Sequence, residues 1–218
     1  MIYQVLLKGG KKAEYYVPRT LTPKTILDIG SNIGASIIYF HDRFPDAEIF
    51  GFEPHPGTFS ILQQNVAPLP RVAVFNYGLG AKHEKISVEA DKVNFGAFNT
   101  HGEFKARGQP AAPVLCEVRR LDDVLRELGV PHVDLIKIDC EGAEADVFST
   151  LPDEILNRCQ WIVGEFHDHT GFDVLARLAR SFHLDLKKRM FGPRFRFHAC
   201  NIAAMQQLSR SDVNALQR

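Results

Sequence analysis

Short apolar runs alternate with stretches of helical periodicity through most of the chain. The run at 25–30 is typical of a buried strand, and from 31 to 44 the apolar residues fall near helical spacing until Pro45 stops the helix. The succession repeats, with strands predicted at 48–53, 72–76, 133–139 and 160–166 and helices at 56–66, 121–128, 143–150 and 172–182. Because strands that are apolar on both faces belong to covered sheets, this predicts an α/β fold: a parallel sheet with helices on both faces.

An insertion interrupts this succession around 84–120. Residues 84–90 alternate between apolar and polar, as in a strand with one wet face, and 114–120 have the pattern of its hairpin partner. Between them, 91–113 form a loop rich in Gly, Pro, Asn and Phe. Loops of this length inside compact domains are often functional.

The two ends of the chain carry weaker patterns. Residues 183–190 and 195–205 have the pattern of a closing antiparallel pair, and 1–20 form a lead-in. No domain boundary is evident between them. We therefore expect one domain over 1–218 that closes with the pair at 183–205.

The charge balance narrows the possible partners. The 218 residues include 26 Lys and Arg and 26 Asp and Glu, a formal net charge of zero. Proteins that coat nucleic acid or bind membranes electrostatically need a basic excess, so neither partner is expected. No window approaches about 18 unbroken apolar residues, and no signal-peptide pattern opens the chain. The cysteines show no metal-ligand spacing, which favours reduced thiols and a cytoplasmic protein; they are Cys116, Cys140, Cys159 and Cys200.

The turn between the first predicted strand and helix carries a glycine motif. Residues 28–34 have the sequence Asp-Ile-Gly-Ser-Asn-Ile-Gly, a DxGxxxG pattern where dinucleotide-binding turns have GxGxxG. The dinucleotide pattern needs glycine where Asp28 stands, because the backbone must approach a pyrophosphate. A carboxylate there repels a diphosphate but suits an amino-bearing cation such as S-adenosylmethionine, whose own carboxylate can lie near the amides that open the helix. A dinucleotide-dependent oxidoreductase is therefore disfavoured.

Two further marks follow at the ends of the next strands. Glu53 ends the second strand, where an acid can accept hydrogen bonds from ribose hydroxyls. Residues 76–78 end the third strand, where an adenine can rest against backbone and a side chain. Marks at consecutive strand ends, in order, indicate a nucleoside cofactor. The predicted cofactor-binding residues are Asp28, Gly30, Ser31, Asn32, Gly34, Glu53, Pro54, Asn76, Tyr77, Gly78 and Asp139.

These residues resemble the FkbM family of S-adenosylmethionine-dependent methyltransferases, which have a class I, Rossmann-like fold. The strongest likeness is at 135–144, LIKIDCEGAE, which is similar to the family hallmark LKIDxEGxE. Segments 28–34, 52–54, 121–125 and 163–167 are also similar, so the likeness spans roughly 24–170, the expected cofactor-binding core. Ser31 and Cys140 depart from the residues frequent in the family. The resemblance implies a seven-stranded sheet ordered 3-2-1-4-5-7-6 with strand 7 antiparallel, and methylation of a hydroxyl, often on a sugar or a secondary metabolite.

Polar residues follow the fourth and fifth predicted strands, at the edge where ligands of open α/β sheets bind. Lys137 interrupts an apolar strand, and because Asp139 shares its strand face, we expect the two to pair and Asp139 to stay ionised. His167 directly follows the fifth strand, and the ordinary histidine pKa of about 6.5 suits proton removal near neutrality. His167 is therefore the predicted general base, with Asp139 as the alternative. The predicted catalytic residues are Asp139, His167, Lys137 and Glu141.

Glu144 and the histidines raise the question of a metal. Glu144 is expected to favour the positive first turn of its helix rather than the chemistry. Acids near His167 and His169 leave a divalent cation such as Mg²⁺ open, but their spacing is not diagnostic, and we predict no metal.

Two segments mark the acceptor side. The loop 93–101 is expected either to cover an acceptor pocket or to anchor itself to the core through its phenylalanines. The run 187–197 is basic and aromatic, and in strand geometry Arg194 and Arg196 share one face with phenylalanines on the other. It is either an ordinary two-faced strand or a surface that attracts an anionic acceptor.

Other functions remain open from the sequence. A methyltransferase acting on nucleic acid or an amine predicts an Asn/Asp-Pro-Pro-Tyr/Phe motif after the fourth strand, where this chain has Asp-Cys-Glu-Gly at 139–142. A non-catalytic cofactor-binding module is opposed by the intact acids and glycines of the motifs. We therefore expect an O-methyltransferase with a small hydroxylated acceptor, whose identity, like the oligomeric state, is open.

Overall fold

The computed structural model describes residues 15–18, 20–90, 98–99, 113–188 and 194–205. The strands are β1 Thr25–Ile29, β2 Glu48–Phe52, β3 Val72–Phe75, β4 Gly78–Gly80, β5 Glu84–Ala90, β6 Phe98–Asn99, β7 Val114–Arg120, β8 Leu135–Ile138, β9 Trp161–Phe166, β10 Phe182–Lys188 and β11 Phe195–Asn201. The helices are α1 Ala35–Arg43, α2 Pro56–Val66, α3 Leu121–Glu127, α4 Glu144–Ser149, α5 Asp153–Leu156, α6 Gly171–Leu178 and α7 Ile202–Met205.

One seven-stranded sheet forms the centre of the fold, in the order β10-β11-β9-β8-β1-β2-β3. Neighbours from β3 to β9 are parallel, whereas β11 is antiparallel to both β9 and β10. Without the inserted strands β4 to β7, this is the order 3-2-1-4-5-7-6 with strand 7 antiparallel. The predicted Rossmann-like α/β fold is therefore confirmed.

Apolar side chains cover both faces of this sheet, as the unbroken apolar strands predict. Because side chains alternate along a strand, neighbours on β1 enter different clusters. Ile26 packs with Phe40 and Trp161 on one face, and Leu27 packs with Phe148 on the other. The sheet is thus buried on both sides, and only the strand ends are open to a ligand.

A smaller sheet, ordered β4-β7-β5-β6, follows β3. Its strands β5 and β7 are antiparallel, so the predicted insertion around 84–120 is confirmed. Leu79 and Val118 are buried, and with Ile86 and Val88 they line a cleft that also contacts Glu53. The loop 93–101, which is expected over the acceptor, lies outside the described residues except for the strand β6.

The first helix begins later than predicted. α1 starts at Ala35 rather than at residue 31, because Asn32 and Gly34 have φ angles of 51° and 91°, which helical residues do not adopt. Residues 31–34 therefore form a turn in front of the helix rather than its first turn.

Other differences concern short elements. The helix predicted over 172–182 ends at Leu178, and Phe182 already begins β10. The elements β4 and α5 have only 3 and 4 residues, too few to show a periodicity in the sequence. Within the described parts of the chain, no helix has the length and apolar character needed to cross a membrane.

Candidate active site

Gly30 brings the turn after β1 into contact with the end of β8. Its φ is +79°, and a Cβ atom at this position would lie 1.9 Å from the carbonyl oxygen of Asp139. The amides of Gly30 and Ser31 both donate to the carbonyl of Phe52 at the end of β2, at 3.0 Å. The glycine therefore allows the ends of β1, β2 and β8 to meet.

Replacing Gly30 by alanine is expected to lower the free energy of unfolding by about 3 kcal/mol or more, because the new methyl group must displace the Asp139 backbone. Gly129→Ala is the matched control. Gly129 has a φ of +65°, but nothing lies within 4 Å of its Cβ position, so only the conformational cost of about 1 kcal/mol applies. Urea unfolding measures both variants, and equal losses would contradict the steric role of Gly30.

Lys137 forms a buried ion pair with Asp28, not the expected pair with Asp139. Lys137 and Asp28 are register partners on β8 and β1, and Nζ lies 3.1 Å from Asp28 Oδ1. Lys137 also donates to the carbonyl of Gly30, and Ser36 donates to the other Asp28 oxygen. Burial lowers the pKa of Lys137, but the charges of Asp28 and Asp139 outweigh it and raise this pKa overall. The ammonium therefore stays charged inside the sheet.

Asp28 consequently lies beneath the site instead of facing a ligand. Its side chain is fully buried, and its oxygens face Lys137 and Ser36. The Asp28 carboxylate is therefore engaged inside the protein, and its direct contact with a cofactor stays a prediction. The pairing depends on the register between β1 and β8, which no local spacing in the sequence reveals.

Glu53, after β2, holds the turn that follows β1. Its Oε1 accepts the amide of His55 at 2.9 Å, and Oε2 accepts the amide of Asn32 at 3.0 Å. Burial raises the pKa of Glu53 to about 7, although these amides lower it. Asn76 supports the same loop by donating to the carbonyls of Glu53 and Pro54, at 3.0 and 3.1 Å.

The predicted adenine contacts at 76–78 divide into two groups. Gly78 lines the cleft beside Glu53. The Asn76 side chain instead braces the Glu53 loop, and the Tyr77 ring packs on Phe52 with the Arg119 guanidinium 5.0 Å from its centre. Of these three residues, Gly78 is the one that lines the cleft.

A tyrosine from the lead-in reaches the end of β8. Tyr15 Oη donates to Asp139 Oδ2 at 2.7 Å, and Lys137 Nζ lies 5.2 Å from the centre of the Tyr15 ring. The contact joins positions 124 residues apart, and no sequence pattern in 1–20 predicts it.

His167, directly after β9, lies among carboxylates. Its Nδ1 is 2.9 Å from Glu144 Oε1, and its Nε2 is 3.2 Å from Glu141 Oε2. Asp139 Oδ1 and Glu165 Oε1 are 3.6 and 4.0 Å from Nε2. The structure thus brings together the predicted residues Asp139, Glu141 and His167, with Glu144 as an addition.

Glu144 has a larger role than the sequence predicts. It opens α4 and accepts the amides of Cys140 and Gly142, as an acid in a first helical turn does. It is also buried, and it fixes the orientation of the His167 ring through Nδ1. Its place in the hallmark motif is the one sequence signal for this second role.

The charges around His167 change the assignment of the general base. Burial lowers the pKa of His167, but Glu144, Asp139 and Glu141 outweigh it and raise the pKa to about 9. His167 is therefore an imidazolium at neutral pH, so the structure does not support its predicted role as the base. Burial raises the pKa of Glu141 to about 7, which makes this carboxylate the better candidate.

The backbone of Glu141 is in an unusual conformation. Its φ is 54°, in the left-handed region that residues with side chains seldom occupy. The side chain lines both cavities of the site. Such strained conformations persist where the surroundings enforce them, often at active sites.

Two adjoining cavities meet at the ends of β1 and β8. The first, which we call the polar cavity, is lined mainly by polar and charged residue types, among them Tyr15, Ser36 and Lys137. The second is an open cleft with mainly apolar walls, and Glu53 is among the residues that line it. The residues that line both cavities are Gly30, Asn32, Asp139 and Glu141.

The closing strand β11 has the predicted two faces. Phe195 and Phe197 are buried in the core. On the other face, Arg196 Nε lies 3.4 Å from Glu165 Oε2, and just before the strand Arg194 Nη2 lies 3.9 Å from Glu141 Oε2. The basic run therefore reaches the acids of the site, although 189–193 lie outside the described residues.

Fewer candidate metal ligands lie together in the structure than the sequence suggests. Ligand atoms of Asp139, Glu144 and His167 lie within 4.8 Å of one another. His169 is exposed and stacks on Phe172. In this group His167 Nδ1 and Glu144 Oε1 lie 2.9 Å apart, and the absence of a metal stays a prediction.

Comparison with known proteins gives one family. Residues 28–197 match the model of the methyltransferase FkbM domain. The chain is 31% identical over 162 residues to the 2-O-methyltransferase NoeI of Sinorhizobium fredii, covering 68% of this chain and 65% of that protein. It is 28% identical over 141 residues to the hexuronic acid methyltransferase AglP of Haloferax volcanii, covering 64% and 54%.

The matches leave part of each relative uncovered. The match to methyltransferase 1 of Beauveria bassiana covers 66% of that protein, so the chain spans slightly less than two thirds of the length of such relatives. Among solved structures, the methyltransferase FkbM of Methylobacillus flagellatus has the same fold, with a TM-score of 0.57 and 14% identity over 85% of this chain and 48% of that one.

Proposed function

The chain belongs to the FkbM methyltransferase family, and on this basis we propose that it transfers a methyl group from S-adenosylmethionine to a hydroxyl oxygen of a small molecule. The class I fold and the family imply this cofactor. The observation that carries the proposal is the junction of a polar and an apolar cavity at Asp139 and Glu141.

The residues present fit the cofactor. The apolar walls at Leu79 and Val118 suit a purine ring, and the Glu53 carboxylate at the edge of the same cleft suits ribose hydroxyls. The polar cavity, where Asp139 lies, suits an amino-acid end. Gly30 lines both cavities and has no side chain to obstruct a ligand where they meet. When bound, S-adenosylmethionine supplies an electrophilic methyl group on a sulfonium.

The residues of the junction have different proposed roles. Methyl transfer requires a positioned acceptor and removal of its proton. Glu141 is the proposed base, because its side chain is partly exposed at the junction and its pKa is raised to about 7. His167, as an imidazolium, positions the carboxylates of Asp139 and Glu141, and Lys137 positions the turn at Gly30.

The acceptor class rests on two supports. The relative NoeI is a 2-O-methyltransferase and AglP is a hexuronic acid methyltransferase, which favours a hydroxyl on a sugar or a related small molecule. Arg194, with a side chain that is 37% exposed beside Glu141, favours an acceptor that also carries an acidic group. The balanced charge of the chain gives no support to a polymeric nucleic acid.

Calorimetry and product analysis test the proposal. The protein is titrated with S-adenosylmethionine and, as a control, with a nicotinamide dinucleotide, which should not bind. Neutral and acidic sugars are then incubated with protein and cofactor, and mass spectrometry detects the gain of one methyl group. No binding of S-adenosylmethionine would end the proposal, whereas binding without transfer to any hydroxyl would favour a non-catalytic module.

A further inference from the structure

Tyr15 lies ahead of residue 28, where the family match begins, yet its side chain is part of the site. The ring lines the polar cavity and is 5% exposed. Its hydroxyl donates to Asp139 and its ring covers the Lys137 ammonium, so it contacts the charged residues at the end of β8.

The segment 15–18 is anchored to the domain rather than loosely placed. Val17 is fully buried in the cluster that contains Phe40 and Trp161. Arg43, at the end of α1, donates to the Val17 carbonyl at 2.6 Å. The packing of Val17 and the hydrogen bond from Arg43 therefore fix the chain next to Tyr15 and hold its side chain over the cavity.

The hydrogen bond from Tyr15 restrains the orientation of the Asp139 carboxylate. Oδ2 accepts the phenol at 2.7 Å, while Oδ1 lies 3.6 Å from His167 Nε2. A carboxylate with one oxygen hydrogen-bonded to the phenol and the other facing an imidazolium is restrained in its rotation about its last bond. Hydrogen bonds to charged groups are among the stronger ones in proteins, so loss of the phenol leaves Asp139 less ordered toward a ligand.

We infer that Tyr15 is a positioning residue for Asp139, and that its side chain forms a wall of the cavity for the amino-acid end of the cofactor. The inference rests on the proposed function, since it concerns the same cofactor. It adds a residue outside the family-matched region to the site. The effect of Tyr15 is confined to the amino-acid end of the ligand, because Tyr15 lines the polar cavity only. The nucleoside end is proposed to lie in the second cavity, which Glu53 lines.

Ligands that differ at the amino-acid end test this directly. S-adenosylhomocysteine has that end, whereas 5′-methylthioadenosine has the nucleoside and sulfur without it. Tyr15→Phe is expected to weaken S-adenosylhomocysteine about tenfold in calorimetry and to leave 5′-methylthioadenosine unchanged. Tyr16→Phe is the matched control, because the neighbouring Tyr16 lines neither cavity of the site, and it should leave both affinities unchanged.

A second variant shows whether Tyr15 acts through Asp139. In an Asp139→Asn background, Tyr15→Phe should weaken S-adenosylhomocysteine by less than twofold, because the charge that the phenol positions is gone. Tenfold loss in both backgrounds, equal loss for both ligands, or wild-type affinity in Tyr15→Phe would overturn the inference. Failure of the wild type to bind either ligand would instead remove the proposed function, and this inference with it.

Discussion

Replacing Lys137 by methionine is expected to lower the free energy of unfolding by about 3–5 kcal/mol, because the substitution leaves the Asp28 carboxylate buried without its cation. Both side chains are 2% exposed or less, and their charged atoms are 3.1 Å apart. A pairing of Lys137 with Asp139, as the sequence predicts, would instead cost activity and spare stability, since Asp139 is partly exposed. Urea unfolding of the variant distinguishes the two arrangements.

The double variant Asp28→Asn, Lys137→Met is the control for this prediction. With both charges removed, no unpaired ion remains in the sheet, and more than half of the lost stability should return. The amide of an asparagine also keeps a hydrogen-bonding group for Ser36. Wild-type stability in Lys137→Met, or a double variant less stable than the single one, would contradict the buried pair.

Replacing Glu141 by glutamine is expected to lower kcat by a factor of about 100 or more, because general bases contribute about 10²–10⁴-fold. The isosteric amide keeps the shape of the site, so the Kd for S-adenosylhomocysteine should change little. In the wild type, activity should rise with pH through about 7, because only the unprotonated carboxylate accepts a proton and burial places the Glu141 pKa there.

The same profile tests His167, the general base predicted from the sequence. His167 has a pKa raised to about 9 by Glu144, Asp139 and Glu141 despite its burial, so a histidine base would shift the rise in activity to pH 9. With Glu141 as the base, loss of the His167 proton above pH 9 removes the cation beside it and lowers activity instead. A rise centred near 9, or near-normal turnover in Glu141→Gln, would show that Glu141 is not the base.

The fold was accessible from the sequence because its signals are local. The apolar runs that became β1, β2, β8 and β9 need only their own residues to be recognised, and the glycines at 30 and 34 mark the turn that follows β1. Side chains at the ends of parallel strands then collect at one edge whatever the detailed packing. For this reason the sequence alone predicts that Asp139, Glu141 and His167 lie at the same edge of the sheet.

The contacts within the site were less accessible because they depend on register and on distant segments. Lys137 pairs with Asp28 because the register of β8 and β1 places the two residues side by side, and its spacing to Asp139 in the sequence does not reveal this. Tyr15 contacts Asp139, which lies 124 residues further along the chain. The pKa of His167 depends on several carboxylates at once, so its ordinary value in solution was a poor guide.

The central position of β1 has a practical consequence for shortening the protein. The family match begins at residue 28 and ends at 197, whereas β1 begins at Thr25 and β11 ends at Asn201. A chain trimmed to the matched range would lack three of the five residues of a strand in the middle of the sheet and the last pairs of the closing ladder, including Cys200 with Trp161. For expression, the boundaries of similarity are therefore not those of the folding unit, and a trimmed chain should keep the residues from Tyr15 to Met205, whose helix α7 packs on the core.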